Sequence, residues 1–223
     1  MTKTEQHSNS GFVKQDLYNP DKPNILCRVC SKEEGSNKFL PNSIDFYRST
    51  IFPRLIDYEF SDDDPKYAAF SNIAYNLQYL HYLDECTKQL YLTSSLYGQN
   101  VKTFVLISAL IIESILYIQH KETGASYDDI HDFKSLLYKS AQEQTFGLSF
   151  AFYRNDLKQL KNLRNKIHIQ SPSEINEADF VVFCSADVLK NTKDLLYTFL
   201  EAAFILRNDE MNRVFPFLVT KEK

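Results

Sequence analysis

The chain has 223 residues, of which 43% are hydrophobic, and its formal net charge is −4. Only five glycines and seven prolines argue against a β-sandwich and against a disordered chain, and the apolar fraction is sufficient for one sizeable core. Because the chain as a whole is weakly acidic, any contact with nucleic acid must come from a local basic patch.

The first 42 residues are polar and irregular, with glycines and prolines spread among charged side chains. We expect residues 1–42 to form an arm or a small subdomain, followed by a helical domain at residues 43–223. The first residues contain no apolar segment typical of a secretory signal. A cytoplasmic location with reduced cysteines is therefore expected.

Cys27 and Cys30 form a CxxC pair within this arm. Two thiolates at this spacing supply half of a structural zinc site, so a bound zinc ion is one interpretation. Cys86 and Cys184 stand alone and do not provide a second pair, so two reduced cysteines in a turn is the other interpretation. We expect the protein to require no cofactor for its activity.

The helical domain begins with residues 43–60, predicted to be helical but broken at Pro53, because proline removes a backbone donor from a helix interior. A long helix is predicted from SDDDP, residues 61–65, to Gly98, since an aspartate cap, a first-turn proline and acidic residues are typical of helix starts. Its tyrosine-rich stripe, residues 75–92, is expected to face the core and not to stack on bases.

The most apolar stretch, residues 101–120, is as long as a membrane span, but Glu113, a lysine and two serines interrupt it. We expect a buried core helix at residues 100–122 and no membrane contact. A fourth helix is predicted at residues 126–144, opened by Ser126 and two aspartates.

Two pairs in these helices have the i and i+4 spacing of metal ligands. They are His81 with Glu85, and Asp128 with Asp132. Neither has the HExxH form, so we interpret both as parts of solvated helix faces.

The last helices are predicted at residues 149–170 and 185–208, the second capped by Ser185. Between them, the apolar run at residues 180–184 is either a strand or the start of a helix, because periodicity alone does not distinguish the two. FPFLVTKEK, residues 215–223, is expected to be a tail. These patterns predict an all-α bundle of four to six helices.

The segment LKNLRNKIHIQ has an arginine inside the apolar face of its helix. At about 100° per residue, Arg164 falls between Leu157 and Leu160, and His168 lies at the edge of the same face. A buried guanidinium is costly unless it is paired. Glu113 is the candidate partner, since it lies within the most apolar helix.

One interpretation is a structural Arg–Glu pair beside a core-edge histidine. The other is phosphate chemistry, because Asn165 lies on the same side as Arg164 and His168. Arginine holds phosphate oxygens with a planar fork, and histidine transfers protons near neutral pH.

LRNKIH, after a helix with the internal glutamate of SALIIES, resembles the signature helix of the HEPN superfamily. These are small all-α domains, many of them metal-independent endoribonucleases of toxin–antitoxin, abortive-infection and CRISPR defence systems. Arg164, Asn165 and His168 match their Arg–polar–His signature. The family places four to six residues between the arginine and the histidine, and this chain has three. The resemblance covers about residues 65–208.

The resemblance implies a homodimer in which two signature helices form one cleft for RNA. His168 would transfer protons at the 2′-hydroxyl or the leaving oxygen, and Arg164 would stabilise charge on the scissile phosphate. Asn165 would position the phosphate or the histidine, and Glu113 would orient Arg164. Such cleavage through the 2′-hydroxyl requires no metal.

Lys158, Lys161 and Lys166 would supply a positive rim for RNA. Arg154, which lies off the apolar face, would either extend this surface or simply be solvated. The expected function is a HEPN-type endoribonuclease, a toxin or antiphage-defence effector with an antitoxin or defence-system partner. The alternative is a non-catalytic HEPN-like module that binds RNA or a protein partner.

Overall fold

The computed structural model describes residues 42–55, 65–124, 132–166 and 181–220. Within these ranges the regular structure is helical and contains no strand, which confirms the predicted all-α class. The α-helices are α1 (Ile44–Leu55), α2 (Pro65–Gln89), α3 (Ser94–Glu122), α4 (Phe133–Glu143), α5 (Leu157–Asn165), α6 (Ala186–Phe204) and α7 (Asn208–Val214). The shorter helical turns are 3₁₀ at Thr145–Gly147 and Pro216–Leu218, and π-helical at Phe152–Asp156.

α3 is the central helix, and it contacts α2, α4, α5 and α6. It contributes the largest continuous set of core side chains: Val101, Phe104, Val105, Ala109, Ile111, Ile112, Ile115 and Leu116. Each fully buried aliphatic or aromatic side chain stabilises the fold by about 1.5–3 kcal/mol relative to exposure. By length and composition alone α3 is also apolar enough to span a membrane, and half of its most apolar stretch is buried within the protein.

The boundary between α2 and α3 differs from the sequence prediction. The long helix was expected to stop at Gly98, but α2 ends at Gln89, α3 begins at Ser94, and Gly98 is buried inside α3. Thr93 caps α3, because its backbone is extended and its hydroxyl accepts a hydrogen bond from the Leu96 amide at 3.4 Å. A capping hydroxyl satisfies an otherwise free donor, whereas one interior glycine costs only about 1 kcal/mol, which packing overcomes.

Two other helix boundaries also differ from prediction. α1 continues through Pro53 and ends two residues later at Leu55, so the predicted break at this proline does not occur. α4 begins at Phe133, and the predicted start at Ser126 lies outside the described residues. The extended Asp132 is its N-cap: the carboxylate accepts a hydrogen bond from the Ser135 amide at 2.7 Å, and the Ser135 hydroxyl accepts one from the Asp132 amide at 3.1 Å.

The segment predicted to be a C-terminal tail is part of the core. Phe215, Phe217 and Leu218 are at most 1% exposed. The ring of Phe215 stacks on Tyr47 of α1 at 6.1 Å and on Phe204 of α6 at 6.3 Å. Aromatic burial of this size explains why the chain folds back after α7.

The start of α6 agrees with its predicted cap, since the Ser185 hydroxyl accepts a hydrogen bond from the Asp187 amide at 3.3 Å. The apolar run before it is not a strand within the described residues 181–184. Val181 and Val182 are helical, and a turn follows at Phe183, which is buried.

The tyrosine stripe of α2 points to solvent, which contradicts its predicted place in the core. Tyr75, Tyr79 and Tyr82 are 46%, 43% and 52% exposed, whereas Leu77 and Leu80 are fully buried. A phenol keeps its hydroxyl in water at little cost, so the leucines on the opposite side occupy the core.

Candidate functional site

α5 presents the predicted apolar face to the bundle. Tyr153, Leu157 and Leu160 are buried, and Leu163 packs against the core. The π-helical turn that precedes α5 was not anticipated, because a wheel at about 100° per residue assumes one regular helix. Such turns have i→i+5 hydrogen bonds and occur frequently at functional sites.

Arg164 pairs with Glu113, which confirms the partner predicted from sequence. The Nη2 atom of Arg164 lies 3.2 Å from the Oε2 atom of Glu113, so the pair joins α5 to α3. The guanidinium also lies over the ring of Phe133, 5.6 Å from its centroid. Arg164 was expected to be buried, but the two side chains are 22% and 25% exposed, which places the pair at the rim of the bundle.

Neither member of this pair is fully stabilised by the other in its charged form. Burial raises the pKa of Glu113, the Arg164 charge lowers it, and the nearby Asp132 carboxylate raises it further. The Nε atom of Arg164 is enclosed and has no hydrogen-bond partner among the described residues. A donor left without an acceptor is costly, so Glu113 does not fully satisfy this guanidinium.

The rest of the predicted catalytic set is described only in part. Asn165 follows Arg164 as the last residue of α5 and is exposed to solvent. His168 lies outside the described residues, as do the CxxC cysteines, Cys27 and Cys30.

Three of the four predicted RNA-binding residues surround one recess of about 530 Å³ between α4 and α5. They are Arg154, Lys158 and Lys161, and α4 adds Lys134, which sequence analysis did not single out. Lys166 instead lines a separate groove of about 800 Å³ between α5 and α6. The four cations around the smaller recess, together with Tyr138 of α4, are called here the basic recess.

The basic recess adjoins the ion pair of Arg164 and Glu113. Lys161 lies three residues before Arg164, so the two side chains are neighbours on the surface of α5. Asp132 lines the recess, and the next residue, Phe133, contacts Arg164. The recess and the ion pair therefore form one continuous polar surface across α3, α4 and α5.

The four cations of the basic recess form no ion pair within the described ranges, although Asp132 also lines the recess and the Ser135 amide, together with the Lys134 charge, lowers the pKa of its carboxyl. None of Lys134, Arg154, Lys158 and Lys161 takes part in an ion pair there. In a chain with a net charge of −4, this is a local positive patch available to an anionic ligand. Lys134 was not predicted, because only the true start of α4 at Phe133 places it in the first helical turn beside α5.

A serine–histidine–glutamate arrangement lies between α3 and α4. The Ser140 hydroxyl is 2.8 Å from Nε2 of His120, and Nδ1 of His120 is 3.3 Å from a carboxylate oxygen of Glu143. Burial lowers the pKa of His120. Ser140 is 0% and His120 is 1% exposed, so no substrate reaches the hydroxyl, and the arrangement links α3 to α4 structurally.

The structure corrects the interpretation of His81 as part of a solvated helix face, whereas Asp132 is exposed to solvent as expected. His81 is only 3% exposed, and its Nδ1 accepts hydrogen bonds from the Tyr47 hydroxyl at 3.1 Å and the Asn42 amide at 3.4 Å. Asp132 is the N-cap of α4, and its candidate partner Asp128 lies outside the described residues. In the described part of the chain, no cluster of three or more metal-ligating side chains occurs.

Comparisons with protein-family models, with curated proteins and with solved structures found no significant match to this chain.

Proposed function

We propose that this protein is a metal-independent endoribonuclease of HEPN type that cleaves RNA through the 2′-hydroxyl. The observation that carries the proposal is the partly exposed ion pair of Arg164 and Glu113 beside a recess lined by four cations and one carboxylate, Asp132. A guanidinium held at a rim, next to cations that attract a polyanion, is placed to receive a phosphate.

In the proposed reaction one residue transfers protons, one stabilises charge, and two others position the reacting groups. His168 removes the proton of the 2′-hydroxyl or protonates the leaving 5′-oxygen. The 2′-oxygen bonds to phosphorus, the bond from phosphorus to the 5′-oxygen breaks, and the proton ends on that oxygen. Arg164 stabilises the negative charge that develops on the phosphate oxygens, and Glu113 holds the guanidinium in place while Asn165 positions the phosphate.

The proposal includes a homodimer, because a single histidine does not readily serve as both base and acid in one turnover. Two copies of α5 would bring two Arg164–His168 sets to one cleft. In this proposal the protein acts in the cytoplasm as a toxin or antiphage-defence effector, and an antitoxin or defence-system protein controls it.

Cleavage assays test the proposal directly. The wild type is incubated with single-stranded RNA in EDTA and compared with Arg164→Ala, His168→Ala and the exposed control Arg213→Ala. Loss of one charge-stabilising donor typically costs about 10²–10³ in rate, so Arg164→Ala should cut RNA at least about 100-fold more slowly. The control should cleave like the wild type, and an RNA with a single 2′-deoxy substitution should resist cleavage at that site.

No cleavage by a folded wild-type dimer would reject the enzyme. The second candidate, a non-catalytic module that binds RNA or a protein partner, would then be favoured. One observation suits it: Arg164 already contacts both Glu113 and Phe133, as a purely structural arginine would.

A further inference from the structure

Two exposed aromatic rings flank Arg154 at the basic recess. Tyr138 of α4 is 53% exposed, and Phe150, just before the π-helical turn, is 51% exposed. The guanidinium carbon of Arg154 lies 5.8 Å from the ring centroid of Tyr138 and 5.7 Å from that of Phe150. Both distances are within the range of cation–π contact, so the three side chains form one open π-surface.

The π-helical turn fixes the direction of this surface. Arg154 is exposed in the turn, while its neighbour Tyr153 is fully buried and donates a hydrogen bond from its hydroxyl to the Thr145 carbonyl. Leu157, which follows the turn, is also fully buried. Two buried anchors on either side therefore hold Arg154 outward, between the two rings.

We infer that Tyr138, Arg154 and Phe150 form a stacking position for an unpaired nucleobase, and that Lys134, Lys158 and Lys161 bind the phosphates of the same strand. The inference rests on the proposed function in taking RNA as the ligand. It adds the form in which RNA is bound, because a base in a duplex keeps its faces stacked on its neighbours. Only an unpaired base can offer its face to an aromatic ring or a guanidinium plane.

The aromatic rings decide between an RNA strand and an acidic peptide. Carboxylates would pair with the lysines of the recess, but they would leave the faces of Tyr138 and Phe150 unused. A nucleic acid strand uses both features, since it alternates a charged phosphate with a flat π-system.

The experiment measures binding without cleavage. The probe is a short single-stranded RNA that is 2′-O-methylated throughout, so it has no free 2′-hydroxyl and cannot be cleaved by the proposed reaction. It also carries one 2-aminopurine as a fluorescent base. Full-length wild type is compared with Tyr138→Ala, Phe150→Ala, the conservative Tyr138→Phe, and Tyr91→Ala, an exposed tyrosine on the loop between α2 and α3. Anisotropy gives the affinity, and quenching of 2-aminopurine fluorescence reports stacking.

The wild type should quench the fluorophore and bind the single strand more tightly than the same sequence in a duplex. Each alanine substitution in the stacking position should weaken binding by roughly 5- to 150-fold and reduce quenching. Tyr138→Phe keeps the ring and should bind like the wild type, as should Tyr91→Ala. Lys158→Ala should lower the slope of log affinity against log salt by about 0.7, as expected for one lost phosphate contact on a single strand.

Three results would overturn the inference. In the first, Tyr138→Ala and Phe150→Ala bind the probe as tightly as the control Tyr91→Ala does. In the second, the wild type binds the duplex as tightly as the single strand. In the third, poly-glutamate of matched charge displaces the probe completely. The test of the nuclease proposal is separate. If the wild type binds the methylated strand and quenches its fluorescence but leaves unmodified RNA intact, the nuclease proposal is rejected and the stacking inference is supported.

Discussion

Among the ion pairs that join helices in the described part of the chain, two differ in how far water reaches them. Asp84 of α2 and Lys193 of α6 are in direct contact, with side chains 1% and 9% exposed. Glu113 of α3 and Arg164 of α5 are 25% and 22% exposed. The first pair is enclosed by the core, whereas the second opens onto the basic recess.

The difference separates a structural pair from a candidate functional one. Lys193 also lies over the ring of Phe104, and Lys88 approaches the second oxygen of Asp84 at 2.6 Å, so this carboxylate has cationic partners on both sides. A ligand cannot replace Lys193 without opening the core, because both side chains of its pair with Asp84 are enclosed. At the rim, a phosphate can compete with Glu113 for Arg164, because water already reaches both side chains.

The largest effect is expected from breaking the enclosed pair. Lys193→Ala leaves the buried Asp84 carboxylate with the half-exposed Lys88 as its remaining described cationic partner. The free energy of unfolding should therefore fall by about 3–5 kcal/mol, measured by urea denaturation. Lys190→Ala, at an exposed position of the same helix, is the control and should change little. Replacing both Asp84 and Lys193 by leucine should recover much of the loss, and a loss below about 1 kcal/mol in the single variant would show that the pair is not structural.

The next effect concerns pH in the same enclosed region. Burial lowers the pKa of His81 to about 4 from an ordinary 6.5, and its Nδ1 must stay unprotonated to accept hydrogen bonds. Below pH 6.5 the His81 imidazole becomes protonated in the unfolded state, while in the folded state it stays neutral down to about pH 4. Stability should therefore fall by about 3 kcal/mol between pH 6.5 and pH 4. His81→Asn removes this titration, so parallel pH profiles for variant and wild type would reject the assignment.

The smallest effect on stability is expected at the open pair. Arg164→Ala leaves Glu113 within reach of water, so the free energy of unfolding should fall by only about 1 kcal/mol. Thermal unfolding of Arg164→Ala and Arg213→Ala measures the difference. A loss as large as that of Lys193→Ala would make Arg164 a structural residue and favour the binding-module alternative.

The sequence alone determined the helical class, the apolar face of α5 and the partnership of Arg164 with Glu113. Each follows from a local pattern: helical periodicity, or a charge inside an apolar segment that requires an opposite charge. The same reasoning placed Arg154 off the apolar face, as the structure does.

Only the tertiary structure decided how exposed these groups are and which of them meet. The cap at Asp132 sets the start of α4 and brings Lys134 to α5, and the π-helical turn presents Arg154 between two rings. The tyrosines of α2 face solvent and the C-terminal phenylalanines enter the core, both against expectation. Burial depends on competition among all apolar side chains for one core, and a single segment does not contain that information.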